Sequence, residues 1–84
     1  MSTPRPILYV KSACSWCEDA EDYLKKHGIA YDRVNVSSDR AGFAAMLELS
    51  GQTKAPTMDW DGEVLADFGA DELDAFLRER NVVR

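Results

Sequence analysis

Cys14 and Cys17 are the chain's only cysteines. They enclose Ser15-Trp16 at the point where an apolar run, Ile7-Leu8-Tyr9-Val10, gives way to a helical pattern. A thiol at a helix N-terminus sits where unpaired backbone N–H groups and the helix dipole favour negative charge, which stabilises its thiolate and makes it the attacking species. The second thiol, one turn further on, is placed to displace whatever the first has captured. The spacing predicts thiol–disulfide exchange.

Other chemistries fit the composition less well. Structural zinc commonly takes two such Cys pairs, or one pair with two histidines, and this chain offers one pair and the lone His27. A purely structural disulfide across Ser15-Trp16 closes too short a loop to restrict the unfolded chain much. Two unrelated buried thiols, acting as small core hydrophobes, are the remaining alternative. Nucleic acid is not the expected partner, because the net charge is −5 and phosphate binding wants a clustered basic face. Most of Glu18, Asp19, Glu21 and Asp22, directly behind the Cys pair, read as a solvated helix face, and their charge opposes thiolate formation, with Lys11 and the helix terminus working against them.

The elements that must position the cysteines follow from pattern and punctuation. With 84 residues the chain is expected to form a single domain over 1–84 with one modest core. Ile7 to Val10 reads as a short buried strand after a proline-bounded tail. From Cys14 to His27 the apolar positions Cys17, Ala20 and Leu24, with Tyr23 beside them, recur at helical spacing, and Gly28 supplies a stop. Tyr31 to Val36 alternates as a second strand. Ser38 or Asp39 caps a second helix whose inward face carries Phe43, Met46, Leu47 and Ser50 and which ends at Gly51. Thr57 to Trp60 and Glu63 to Ala66 flank Asp61-Gly62, a hairpin turn signal. Asp71-Glu72 open a third helix with Leu73, Phe76 and Leu77 inward, and Arg78 and Arg80 complement its C-terminal end. The order β-α-β-α-β-β-α, with the first two strands parallel and the last two a hairpin, predicts an α/β fold with a four-stranded mixed sheet covered by helices.

Over nearly its full length the chain resembles the glutaredoxin family, within the thioredoxin fold. The resemblance rests on Lys11 ahead of Cys14-Ser15-Trp16-Cys17, on Gly51-Gln52, and on Pro56 just before the strand that precedes Asp61-Gly62. It implies a glutathione-dependent thiol–disulfide oxidoreductase of the dithiol type, with Cys14 as nucleophile and Cys17 as the resolving thiol. It also implies that Lys11 supports the thiolate and receives a glutathione carboxylate. Pro56, preceded by Ala55, would be the family's cis-proline, turning the Ala55 backbone outward to pair with an extended peptide.

Several positions depart from the family pattern. Trp16 stands where Tyr is common, keeping a flat wall beside Cys14 but replacing a phenol with an indole donor. Ser15 replaces the commoner Pro, and in some family members a Ser here accompanies a glutathione-dependent two-iron, two-sulfur cluster held between subunits, which would make Cys14 a metal ligand. Lys54 replaces a frequent Thr and offers a positive charge to an anionic tripeptide. The family's paired glycines match Gly69-Ala70 only with a two-residue insertion, whereas the gapless register puts Ala66-Asp67 there. Asp71 is then the candidate acid for the γ-glutamyl end, beside the N–H groups that open the third helix.

Three functions are carried forward. The first is a dithiol glutaredoxin reducing protein disulfides and glutathione mixed disulfides, with glutathione as co-substrate and no tightly bound cofactor. The second is a redoxin that takes electrons from a thioredoxin reductase and serves ribonucleotide reductase. The third is a glutathione-dependent [2Fe-2S] carrier or sensor. No apolar stretch approaches the ~18 residues needed to span a bilayer, and Met1 to Pro6 has no signal-like apolar run, so a cytoplasmic monomer working on glutathione and on disulfide-containing or glutathionylated proteins is expected, with no membrane partner.

Overall fold

Four short strands carry the molecule, and β1 (Ile7–Val10) lies inside the sheet they form. In the computed structural model, which describes residues 5–83, β1 is followed by α1 (Ser15–Lys26), β2 (Asp32–Asn35), α2 (Arg40–Ser50), β3 (Thr57–Trp60), β4 (Glu63–Ala66) and α3 (Ala70–Glu79). The sheet order is β2-β1-β3-β4. β1 pairs parallel with β2, Ile7 opposite Asp32, and antiparallel with β3, Tyr9 opposite Thr57, while β3 and β4 form the expected hairpin. This is the four-stranded mixed sheet anticipated from the element order, in the thioredoxin-like architecture that the family resemblance implies. Residues 1–4, which include most of the tail read above, lie outside the described residues.

Alternation along β1 divides the core between the two sheet faces, because successive strand side chains point to opposite sides. Leu8 and Val10 join Cys17, Ala20 and Leu24 of α1, Met58 of β3, and Leu73, Phe76 and Leu77 of α3 in the larger cluster. Tyr9, on the other face, packs with Val36 and with Met46 of α2. Leu8, Leu24, Met58, Leu73 and Leu77 are fully buried, each contributing about 1.5–3 kcal/mol relative to exposure. The Cys-bearing end of α1 is thereby fixed from below through Cys17 and Ala20.

Three details differ from the sequence expectation. Cys14 is the N-cap of α1 rather than its first helical residue. Leu47 does not face the sheet: it is 42% exposed, and the inward side of α2 is formed by Gly42, Phe43, Met46 and Leu49. The helix turns this way because its first turn approaches β2 so closely that a Cβ on Gly42 would strike Cγ1 of Val34. Third, α3 begins at Ala70 with Gly69 as its N-cap, one residue before Asp71-Glu72. Of the two candidate caps of α2, Asp39 holds the position, its Oδ1 accepting from Gly42 N–H at 2.9 Å.

Candidate active site

The loop from Lys11 to Cys14 leaves the C-terminal end of β1 and enters α1 through Ala13, whose φ is +54°. It is tied sideways to the end of β2. Ser12 N–H donates to Ser37 Oγ at 3.0 Å, Asn35 Nδ2 donates to Ser12 Oγ at 3.3 Å, and Ser37 N–H donates to Asn35 Oδ1 at 2.9 Å. Cys14 is thus presented on a loop that is itself braced.

The two sulfurs occupy unlike surroundings. Cys14 and Cys17 are joined as a disulfide with Cα atoms 5.2 Å apart. Cys14 is half-buried and Cys17 is only 2% exposed, within the larger core cluster. Cys17 N–H donates to Cys14 Sγ at 3.2 Å, so the sulfur serves as the side-chain cap of α1. A helix-cap acceptor gains most when it carries negative charge, and that favours ionisation of Cys14 on reduction.

The acids behind the pair are less uniform than the sequence reading had them. Glu18, Asp19 and Asp22 are exposed, but Glu21 is drawn toward the sheet, where Tyr31 Oη donates to it at 2.8 Å and Arg33 Nε at 3.0 Å. Its charge is matched by Arg33, so it opposes a thiolate less than its position in sequence implies. Burial, and then the bond to Glu21, push the Tyr31 hydroxyl up to about 12.

The loop before β3 carries the second group of candidate residues. The Ala55–Pro56 peptide bond is cis. Gln52 holds this loop: its Nε2 donates to Ser50 Oγ at 3.0 Å, Lys54 O at 3.2 Å and Thr57 Oγ1 at 3.0 Å, and its Oε1 accepts from Lys54 N–H at 2.5 Å. Thr57, fully buried, returns a bond from Oγ1 to Lys54 O at 2.8 Å. Gln52 was noted in the sequence only as part of Gly51-Gln52; its role as an organiser had no local signal, since its partners are defined by the fold.

Lys54, Pro56 and Asp67 form a continuous group. Asp67 N–H donates to Pro56 O at 3.0 Å, and Lys54 Nζ lies 3.8 Å from Asp67 Oδ2, both side chains being largely exposed. Asp67 has φ +52°, a conformation suited to the glycine its register would otherwise bring. The group continues through buried Phe68 to Gly69, which lies against the ring of Trp16. Trp16 is 60% exposed and therefore not a core residue.

Three other sequence candidates stand apart from these contacts. Lys11 is half-buried at the end of β1 and makes no ion pair with a described residue. Asp71 is exposed in the first turn of α3, and the carboxylate that fastens this turn is instead Glu72, whose Oε2 accepts from Gly69 N–H at 3.0 Å. Ala70 is half-buried as the first residue of α3.

A half-buried capping sulfur, a buried second sulfur and a cis-proline loop are carried by a chain that matches a known protein family. The glutaredoxin family model covers residues 7–65. The chain belongs to the glutaredoxin family. It is similar to a glutaredoxin-like 8.6 kDa protein of the Clostridium pasteurianum rubredoxin operon, with 31% identity across 86% of this chain and 96% of that protein. Among solved structures, the thioredoxin-like protein BC3987 superposes with a TM-score of 0.80 at 29% identity, covering 87% of this chain and all of the other. A buckwheat glutaredoxin in complex with glutathione has a TM-score of 0.72 at 20% identity, over 94% of this chain and 73% of its own. These likenesses place the chain in a family of thiol–disulfide oxidoreductases with a thioredoxin fold.

Among the described residues no group of three or more His, Cys, Asp or Glu is assembled that could hold a metal ion. The cluster reading rests on Ser15 alone.

Proposed function

We propose that this glutaredoxin catalyses glutathione-dependent reduction of glutathione mixed disulfides and protein disulfides, with Cys14 as nucleophile and Cys17 as resolving thiol. The observation that carries the assignment of roles is the burial asymmetry. An external disulfide meets Cys14 in solvent, whereas Cys17 is reached only from Cys14, its neighbour across one helical turn.

The steps balance as follows. The Cys14 thiolate attacks the glutathione sulfur of a mixed disulfide, forming a Cys14–glutathione bond and releasing the substrate thiolate, which takes up a proton. A second glutathione thiolate then attacks the bound glutathione sulfur, expelling Cys14 as thiolate and leaving oxidised glutathione. With a protein disulfide, Cys17 attacks Cys14 instead, and the substrate leaves as a dithiol. The product of that route is the Cys14–Cys17 disulfide, and two molecules of glutathione reduce it. Lys11 offers its ammonium to a glutathione carboxylate, and Lys54 a second one where its pairing with Asp67 yields. The backbone N–H and C=O of Ala55 ahead of Pro56 would pair with an extended tripeptide, and Trp16, Gly69, Ala70 and Asp71 would complete the rim. The buckwheat protein of the same fold, crystallised with glutathione, supports the ligand class.

The Lys54–Asp67 pair favours a second reading, a redoxin reduced by thioredoxin reductase and serving ribonucleotide reductase. Its carboxylate stands at the register of the paired glycines and opposes an anionic ligand there. One assay separates the two: turnover of a small glutathionylated disulfide with either glutathione or thioredoxin reductase supplied as reductant. Turnover with glutathione is expected. Turnover with the reductase alone assigns the second reading, and turnover with neither removes both.

A further inference from the structure

Gly69 precedes α3 with φ −107° and ψ −177°, extended backbone that any residue adopts. Conformation therefore does not call for glycine. Space does: a Cβ at this position would lie 2.8 Å from Cε3 of Trp16 and closer still to Cζ3, nearer than Cβ contacts are found. The backbone here has little room to retreat. Gly69 N–H donates to Glu72 Oε2 at 3.0 Å, and its carbonyl accepts from the N–H of fully buried Leu73 at 3.0 Å. Trp16, by contrast, is 60% exposed, and its ring meets position 69 on this side.

We propose that Gly69 is a positioning residue for Trp16. Its missing side chain is a seat that holds the indole as a fixed wall beside Cys14, so that position 69 governs how an incoming disulfide is oriented for attack. The inference rests on the exchange chemistry proposed above. Exchange requires the attacking sulfur to approach along the disulfide axis, so a wall that fixes orientation acts chiefly on productive binding. In Gly69→Ala the exposed ring yields before the hydrogen-bonded backbone does, and the wall is displaced while the cysteines keep their places.

The test uses a Trp60→Phe background, in which Trp16 is the single indole, and compares Gly69→Ala, Trp16→Ala and the double variant. Gly69→Ala is expected to raise KM for a glutathionylated peptide about fivefold to tenfold with a smaller change in kcat, and to increase quenching of Trp16 fluorescence by acrylamide. When Trp16 is already Ala, the effect of Gly69→Ala on KM should shrink to less than about twofold. An equal KM effect with and without the indole, or unchanged quenching in folded Gly69→Ala, overturns the proposal. Should Gly69→Ala fail to fold, the double variant must fold, because removing the ring empties the space the methyl group enters; a double variant equally unfolded also overturns it. A parent protein inactive on the glutathionylated peptide removes the proposed function instead, and the quenching comparison still decides the seat.

Discussion

The backbone N–H of Cys17 is directed at Sγ of Cys14 across 3.2 Å, so the residue proposed as the resolving thiol also donates to the sulfur it would attack. In the proposed cycle, main chain and side chain of one residue would serve opposite halves. On reduction, Cys14 should react with iodoacetamide near neutral pH much faster than free cysteine in the same buffer, while Cys17 stays unmodified in the folded protein. Equal rates for Cys14 and free cysteine would refute the capping argument.

Cys14→Ser is expected to abolish turnover of every disulfide substrate. Cys17→Ser should retain most activity on glutathione mixed disulfides, which need no internal disulfide, and lose at least about tenfold on protein disulfides, where the mixed intermediate persists. Mass spectrometry of stalled Cys17→Ser should find the substrate on Cys14. The reverse pattern would exchange the two roles.

The Lys54–Asp67 contact yields a charge prediction. Asp67→Asn frees the ammonium beside the Pro56 loop, and the KM for an anionic glutathionylated substrate should fall by about twofold to fivefold at low salt, with the gain shrinking as salt is added. Steady-state kinetics over a salt series checks it, and a KM that rises on substitution would count against the electrostatic account.

Thr57 is fully buried and exchanges hydrogen bonds with Gln52 and Lys54 O. Thr57→Val keeps the shape but leaves Lys54 O without that donor and Gln52 Nε2 without that acceptor, and should cost about 1–2 kcal/mol in urea unfolding. The loss should be accompanied by weaker substrate binding, since the same bonds brace the loop that carries Ala55 and Pro56.

Alkaline stability follows from two phenols. Burial, and then the bond to Asp74 at 2.5 Å, raise Tyr23 from 10.0 to about 12, and Tyr31 is raised likewise by burial and Glu21. In the unfolded chain both ionise near the ordinary value, so between pH 10 and about 12 the unfolded state has lost more protons than the folded one. Their contribution is complete below the lower bound and disappears toward the upper one. Urea midpoints should fall across this window, and Tyr23→Phe with Tyr31→Phe should flatten the fall.

What was legible in the sequence was what depends on near neighbours. Asp61-Gly62 marked the hairpin and adopts φ values of +50° and +92°, and the 3.6-residue spacing of Cys17, Ala20 and Leu24 defined the buried side of α1. Leu47 was misjudged because the inward face of α2 is set by how closely Gly42 approaches Val34, a contact between elements that periodicity does not contain. The same limit hid the hydrogen bonds of Gln52 and the closeness of Gly69 to Trp16. The different depths of Cys14 and Cys17 follow from helix position alone, whereas the setting of Glu21 is made by Tyr31 and Arg33, which reach it from β2 and the residue before it.

The depth at which Cys17 lies has a bearing on oxidative damage. Peroxide reaching the molecule meets Cys14 first and converts it to a sulfenic acid, the last reversible rung before sulfinic acid. The sheltered thiol beneath can then attack that sulfur, releasing water and forming the internal disulfide before a second oxidant arrives. A chain with Ser at position 17 lacks this escape, and its exposed sulfur should accumulate irreversible oxygen adducts under peroxide stress.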